Sequence, residues 1–260
     1  MSRASALFVS HGSPMLPLEP GSAAPMLRRV GSKLDGARAI LAFSPHWMTR
    51  GVVLGAAAQP ATIHDFSGFD PALYTLRYPV AGDPELARSA AECLRRAGVD
   101  VALDPNRGLD HGVWNPLLLM RADADVPVVP LAMPWPLDAA GAWRLGEALA
   151  PLRDDGVVLL GSGSLTHNLY EFDPGAGTDD AVVPYVREFV AWMRDAVARG
   201  DREALLDWQL RAPHARRAHP TPEHLLPLFW ALGAAAGDAA ELFDGGVHYG
   251  MLSMDAWAFA

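Results

Sequence analysis

Short apolar runs alternate along this chain with stretches of helical period, and that alternation admits few folds other than layered α/β. Residues 6–10, 39–43, 52–57, 99–103, 128–132, 157–161 and 250–258 predict strands; residues 84–97, 139–153, 182–199, 201–210 and 222–236 predict helices. Gly98, Gly156 and Gly200 follow three of these helical patterns, where the left-handed closing position favours glycine. The chain has 260 residues, 50% of them hydrophobic and 20% charged, enough for one core. The expectation is a single domain over residues 1–260, an α/β/α three-layer fold around a central mostly parallel or mixed sheet. Residues 62–82 (TIHDFSGFDPALYTLRYPVAG) are rich in aromatic, Pro and Gly residues without any period, which predicts an ordered functional loop rather than a linker.

Charge excludes some partners. The formal net charge is −9 and no Lys/Arg cluster is denser than LRRV or RRAHP, so nucleic acid is not expected as a partner. The apolar run before His11 is too short for a signal peptide, and nothing approaches the roughly 20 apolar residues of a membrane span. The single Cys93 lies on the apolar face of PELARSAAECLRRAG, reads as packing, and excludes a disulfide within the chain. These features predict a soluble protein of a reducing cytoplasm.

Five of the nine histidines sit at the ends of apolar runs or at a helix start: FVSHGSP (His11), FSPHW (His46), LDHGVW (His111), GSGSLTHN (His167) and HPTPEHLLPL (His224). In an open α/β sheet the carboxyl ends of the strands line the ligand crevice, so histidines there can face one pocket. Imidazole is the commonest protein ligand of borderline metals, and this pattern points to a metalloenzyme. Thr221 and Pro222 read as the cap and first position of a helix, with His224 in its first turn and Glu223 about 100° around it, so one of the two faces the metal. Gly161 and Gly163 read as letting the backbone pass close to something bound. GSGSLTH lacks the Gly-x-Ser-x-Gly elbow of a nucleophilic serine. A histidine taken at random is more often a surface or hydrogen-bonded core residue, and His64, His214 and His248 are read so. His219 is intermediate: it stands near His224, but a loop residue leading into a helix explains it equally well.

Taken in order, HGSPM, SPHW, the HDFSGF to AGDPELA block, LDHGVW, GSGSLTHN, HPTPEHLLPL and LSMDAWAF span nearly the whole chain. Together they resemble the catalytic-subunit family of class III extradiol ring-cleavage dioxygenases (LigB-type), in its 4,5-DOPA extradiol dioxygenase-like branch. The resemblance implies a mononuclear non-haem Fe(II) site that opens a catechol-type ring with both atoms of O2, and zinc as an occupant of purified or crystallised protein. It implies His11, His46 and His224 as metal ligands, with Glu223 as the carboxylate alternative of the wider family. It implies His167 as the acid/base, or as a fourth ligand when zinc is bound, and His111 as a second catalytic histidine. Three protein ligands suit iron that must keep positions for two catechol oxygens and O2, and a non-ligating imidazole near neutrality can take the catechol proton. Phe66, Phe69, Tyr74 and Trp47 are the expected aromatic wall, with the loop over residues 62–79 covering the pocket. A zinc hydrolase using the same histidines is the alternative. The expected partners are a small aromatic diol and O2; a homo-oligomer stays open.

Overall fold

An eight-stranded mixed sheet separates two hydrophobic layers, and a computed structural model describes it over residues 3–177 and 182–260. Its strands are β1 (Ala6–Ser10), β2 (Ala39–Thr49), β3 (Val52–Gly55), β4 (Val101–Asp104), β5 (Val128–Pro134), β6 (Val157–Gly163), β7 (Ala240–Phe243) and β10 (Ala256–Phe259), while β8 (Val247–His248) and β9 (Leu252–Ser253) form a separate pair. The order is β4-β3-β5-β2-β6-β1-β10-β7. The centre, β5-β2-β6-β1, is parallel, and antiparallel pairing enters only toward the edges, at β3 with β5, β1 with β10 and β10 with β7.

Central strands buried on both faces divide alternate side chains between the layers. Phe8, Leu41, Phe43, Leu131 and Leu159 face one layer; Leu7, Val9, Ile40, Ala42 and Leu160 face the other. Helices α1 (Ala23–Gly31) and α3 (His111–Met120) contribute to the second layer. The first layer receives α2 (Pro84–Arg96), α4 (Ala139–Leu149), α5 (Pro184–Ala198) and α9 (Leu226–Ala235), together with the short α6 (Arg202–Leu206), α7 (Trp208–Arg211) and α8 (Ala215–Ala218). Cys93 packs in that layer.

Several elements differ from the sequence-based expectation, each for a local reason. Strand β2 runs on through Ser44-Pro45-His46 to Thr49, with a register shift against β5 between Phe43 and Met48 that accommodates the proline. The expected strand over residues 250–258 is broken: Asp255 is buried and bound by Arg194 through two 2.7 Å hydrogen bonds, separating β9 from β10. Helix α9 starts at Leu226 rather than at residue 222, with Pro227 in its first turn, and the Thr221 hydroxyl donates to Glu223 Oε1 instead of capping. His224 therefore lies in the turn that precedes the helix. The expected helix over residues 201–210 is interrupted at Asp207. Helix α3 escaped notice because it is buried nearly all round and carries Pro116, so no amphipathic stripe marks it.

Gly161 and Gly163 bring α9 and its leading turn against β6. A Cβ on Gly161 would collide with the carbonyl oxygen of Pro227, and one on Gly163 with that of His224. The close approach they permit is therefore to this chain's own backbone rather than to a ligand. Gly163→Ala should lower the unfolding free energy by about 1–3 kcal/mol, the usual effect of overpacking; an unchanged urea midpoint would show that the turn carrying His224 can move aside freely.

Candidate active site

Five histidines converge at the carboxyl ends of β1, β2 and β6. His11 follows β1, His46 lies on the bulged end of β2, His111 opens α3, His167 follows β6 and His224 precedes α9. Ring centroids are 4.9 Å apart for His11 and His46, 5.5 Å for His11 and His224, 5.1 Å for His46 and His224, and 4.0 Å for His46 and His111. His167 stacks on His224 at 3.6 Å with the planes 6° apart. All five line one cavity of about 360 Å³.

Hydrogen bonds behind the rings determine which nitrogen faces inward. Ser162 Oγ donates to the Gly112 carbonyl, so at 3.1 Å from His11 Nδ1 it accepts, and the lone pair of His11 is left on Nε2. His111 Nδ1 donates to Asp65 Oδ2 at 2.9 Å, and the His111 backbone N–H donates to Asp65 Oδ1 at 2.8 Å. His224 Nδ1 donates to Glu223 Oε1 at 3.2 Å, while its Nε2 is buried with no hydrogen-bond partner. Nε2 of His46 lies 3.1 Å from Nε2 of His11, and its Nδ1 is 3.7 Å from Asp65 Oδ2. An oxygen behind Nδ1 and a free Nε2 in front is the arrangement that orients metal-binding histidines. The His46 backbone is also tethered: its N–H donates to Ser44 Oγ, which donates to Asp110, which in turn accepts from Arg107.

Burial favours the neutral form of His11, His46, His167 and His224. It pushes His11 and His224 well below the ordinary histidine value, with the neighbouring histidines adding to the effect. His46 falls to about 3, through burial and then His111, against the opposing pull of Asp65. His167 falls to about 4, mainly through burial, with Glu223 opposing. For Asp65, burial acts upward, but the hydrogen bonds and charge of His111 hold the carboxyl down at about 2. Neutral rings with free lone pairs are what a metal requires. Atoms able to ligate form two groups, His11/His46/His111 and His167/Glu223/His224, with the members of each within 4.8 Å of one another.

Of the four aromatic residues expected on the wall, Phe69 reaches the cavity. Phe66 stands behind it, 5.6 Å from Phe69 and 5.7 Å from the His111 ring, and Tyr74 packs on Phe66 one layer further out. Trp47 lies under the Arg107 guanidinium, 4.7 Å away, because alternation along β2 turns it from the face that His46 occupies. Pro14, Leu169, Phe172 and Leu252 complete the apolar wall, and sequence reasoning missed them together with Asp65. Leu169 and Phe172 were within reach, since they follow THN directly; Leu252 carried no signal. Outside the cavity, His64 bonds to the Leu76 carbonyl, exposed His214 to Glu188, and buried His219 to the Leu165 carbonyl.

A family model described as the catalytic LigB subunit of aromatic ring-opening dioxygenase matches residues 5–259. The chain belongs to the LigB family. It is 37% identical to the 4,5-DOPA dioxygenase extradiol of Beta vulgaris, over 97% of this chain and 95% of that one. To the protein of the same name from Escherichia coli K12 it is also 37% identical, over 97% and 93%. A crystal structure of an uncharacterized protein from Escherichia coli K12 superposes with a TM-score of 0.80 at 30% identity, covering 99% and 100% of the two chains. Within the LigB family the zinc-hydrolase alternative finds no support: the family and these relatives carry dioxygenase names. Among the described residues no helix is long and apolar enough to cross a membrane.

In the metal-free protein the buried histidines make stability depend on pH. An unfolded histidine binds its proton near pH 6.5, whereas His46 and His167 in the fold wait until about 3 and about 4. The unfolded chain therefore holds more protons in this window, and stability, complete above pH ~6.5, is lost as pH falls toward the folded values, at up to about 1.4 kcal/mol per pH unit per histidine. Urea midpoints of metal-free protein should drop steadily from pH 7 to pH 5; a flat profile would contradict the buried, neutral cluster.

Proposed function

We propose that the cavity binds one Fe(II) through His11, His46 and His224 and that the protein opens the ring of a catechol-type diol with O2. The observation that carries this reading is the buried, unpartnered Nε2 of His224, on a ring whose centroid lies 5.5 Å from that of His11 and 5.1 Å from that of His46. A buried polar atom without a partner is costly, and a cation offers His224 one. His111, whose ligand atom lies within 4.8 Å of those of His11 and His46, is the alternative third ligand; the reading prefers His224 because its Nε2 is the orphaned one. Glu223, engaged by Thr221 and His224, serves in this reading as the support of the ligand rather than as its carboxylate replacement. Bound iron would polarise the diol oxygens and bring O2 and the ring together. Zinc binds nitrogen-rich sites more tightly than Fe(II), so purified protein is expected to take up zinc as well.

The chain's own residues do the rest. His167, stacked on His224 and facing the cavity, takes the proton of a diol hydroxyl and returns one as the ring opens. His111, with Asp65 holding Nδ1, presents Nε2 to the substrate side of the cavity as a fixed hydrogen-bonding group. Phe69 and Phe172 flank the flat ring and exclude water. All five histidines come from one chain, and the two hydrophobic layers share one sheet, which fits residues 1–260 acting as one catalytic domain. The lone buried Cys93 and a ferrous site both suit a reducing cytoplasm.

Iron content and catechol-dependent O2 uptake, measured on the same samples after anaerobic Fe(II) loading, test this. His46→Ala should lose most of its iron, whereas His167→Ala should keep it and lose turnover by about a hundredfold or more; equal metal loss in both would make His167 a fourth ligand. Asp65→Asn should retain iron and lower kcat by about tenfold or more, the usual effect of losing the group that orients a histidine. An Asp65→Asn enzyme with unchanged kcat would remove Asp65 from the positioning of His111.

A further inference from the structure

We infer that Glu223 governs metal affinity from behind His224, without touching the metal, and that Thr221 holds its carboxylate there. The inference rests on the ligand set proposed above and adds the residue that fixes how one member of that set presents itself.

The main chain of His224 is already placed. Its carbonyl accepts from the Ser164 N–H at 2.8 Å, and Gly163 lies so close to that carbonyl that a Cβ would collide with it. What remains free is the ring, which can turn about its side-chain torsions. His167 stacks on it at 3.6 Å with the planes 6° apart, which restrains the plane of the ring. A half-turn about the Cβ–Cγ bond restores the same plane while exchanging a nitrogen for a carbon at each edge, so stacking does not distinguish the two orientations. The hydrogen bond from Nδ1 to Glu223 Oε1, 3.2 Å long, does. It assigns the proton to Nδ1 and leaves the lone pair on the buried, unpartnered Nε2.

The carboxylate is itself committed. Thr221 Oγ1 donates to the same Oε1 at 2.9 Å, so two donors from the turn between Thr221 and His224 meet on one oxygen. Glu223 offers a ligand atom within 4.8 Å of those of His167 and His224, near enough to compete for a cation, and these two donors hold it behind the ring instead. Its charge makes that position matter. Three imidazoles bring no negative charge to a divalent cation, and a carboxylate on the far nitrogen raises the basicity of the ligating one. Of the three proposed ligands, His11 has the Ser162 hydroxyl behind Nδ1, and His46 Nδ1 stands 3.7 Å from Asp65, beyond hydrogen-bond distance. Among the described residues His224 is thus the ligand with a hydrogen-bonded carboxylate at its back.

Zn(II) affinity, measured by competition with a chromophoric chelator, and the visible spectrum of Co(II)-loaded protein test this independently of turnover. Glu223→Gln keeps an acceptor for Nδ1 and removes the charge. It should weaken Zn(II) binding by about tenfold or more, the usual effect of losing such a partner, with the Co(II) bands and the urea midpoint of metal-free protein as in the wild type. Thr221→Val should weaken binding by a smaller factor; unchanged affinity there would remove Thr221 from the arrangement. Unchanged Zn(II) affinity in Glu223→Gln would overturn the inference, as would a Co(II) spectrum altered in the way His224→Ala alters it, which would make Glu223 a ligand. A urea midpoint that falls together with the affinity would assign Glu223 to the fold and overturn it as well. His224→Ala separates the two readings: wild-type affinity in that variant would sink the proposed ligand set, whereas lost affinity there beside an unaffected Glu223→Gln would sink this inference alone.

Discussion

Everything at the cavity depends on holding neutral imidazoles with Nε2 forward in a buried space. Left to itself a buried imidazole is expensive, because one nitrogen must find an acceptor and the other a donor or a cation. Here the acceptors come from separate elements: Ser162 from β6, Asp65 from the aromatic loop, and Glu223 from the turn before α9. Each acceptor is itself occupied or fixed. Ser162 is turned by the Gly112 carbonyl, Asp65 by the N-terminus of α3, and Glu223 by Thr221. The order of the site is therefore inherited from the packing of α3 and α9 on the parallel centre of the sheet. That packing requires glycine: a Cβ at Gly112 would strike Ser44 Oγ, just as one at Gly163 would strike the His224 carbonyl.

This dependence explains which features could be read from sequence. Strand-end histidines were visible because apolar runs stop at the sheet edge and the next residue faces the crevice, as with His11 after β1. The parallel centre was visible because strands buried on both faces read as continuous apolar runs. The edge at β7 was not: its first three residues are exposed and it carries no such run, whereas the opposite edge, β4, was expected at residues 99–103. Asp65 was passed over although it sits beside His64 in the HDF block, since its role depends on the distance to α3, a spatial fact without a local trace. Trp47 and Tyr74 attracted notice as aromatics near a histidine, yet side-chain direction on β2 and the depth of the loop, rather than proximity in sequence, govern what reaches the cavity.

The loop over residues 62–79 shows why aromatic content alone is a poor guide to a binding wall. Its rings form a graded stack in which Phe69 faces the cavity, Phe66 supports Phe69 and His111, and Tyr74 supports Phe66. The Trp114 indole of α3 closes the stack from below and donates to the Ile63 carbonyl at 2.8 Å. Only the member nearest the cavity, Phe69, can touch a ligand, while Phe66 packs edge-on against the His111 ring. The loop's strand-like pairing is one isolated bridge, Thr62 with Leu109, supplemented by the Tyr78 N–H donating to the Thr62 hydroxyl and the Ile63 N–H to the Leu109 carbonyl.

The two sides of the cavity are built differently, and that asymmetry carries chemical meaning. On the side of β1, β2 and α3, His11, His46 and His111 are fixed by a buried polar lattice that runs back through Ser44 and Asp110 to Arg107. On the other side no side-chain acceptor stands behind His167 among the described residues; it is held by its backbone bond to Ala218 and by stacking on His224. A ring held by stacking can change its protonation state without breaking a tethering bond, whereas protonating His11 at Nε2 would put charge beside His46 and His224 in the driest part of the site. In the proposed reading His11 and His46 hold the metal from the lattice side, His224 holds it from the stacked side, and proton transfer falls to His167. The segment that bears His167 also bears Leu169 and Phe172 of the cavity wall and is anchored by the Arg217–Glu171 pair.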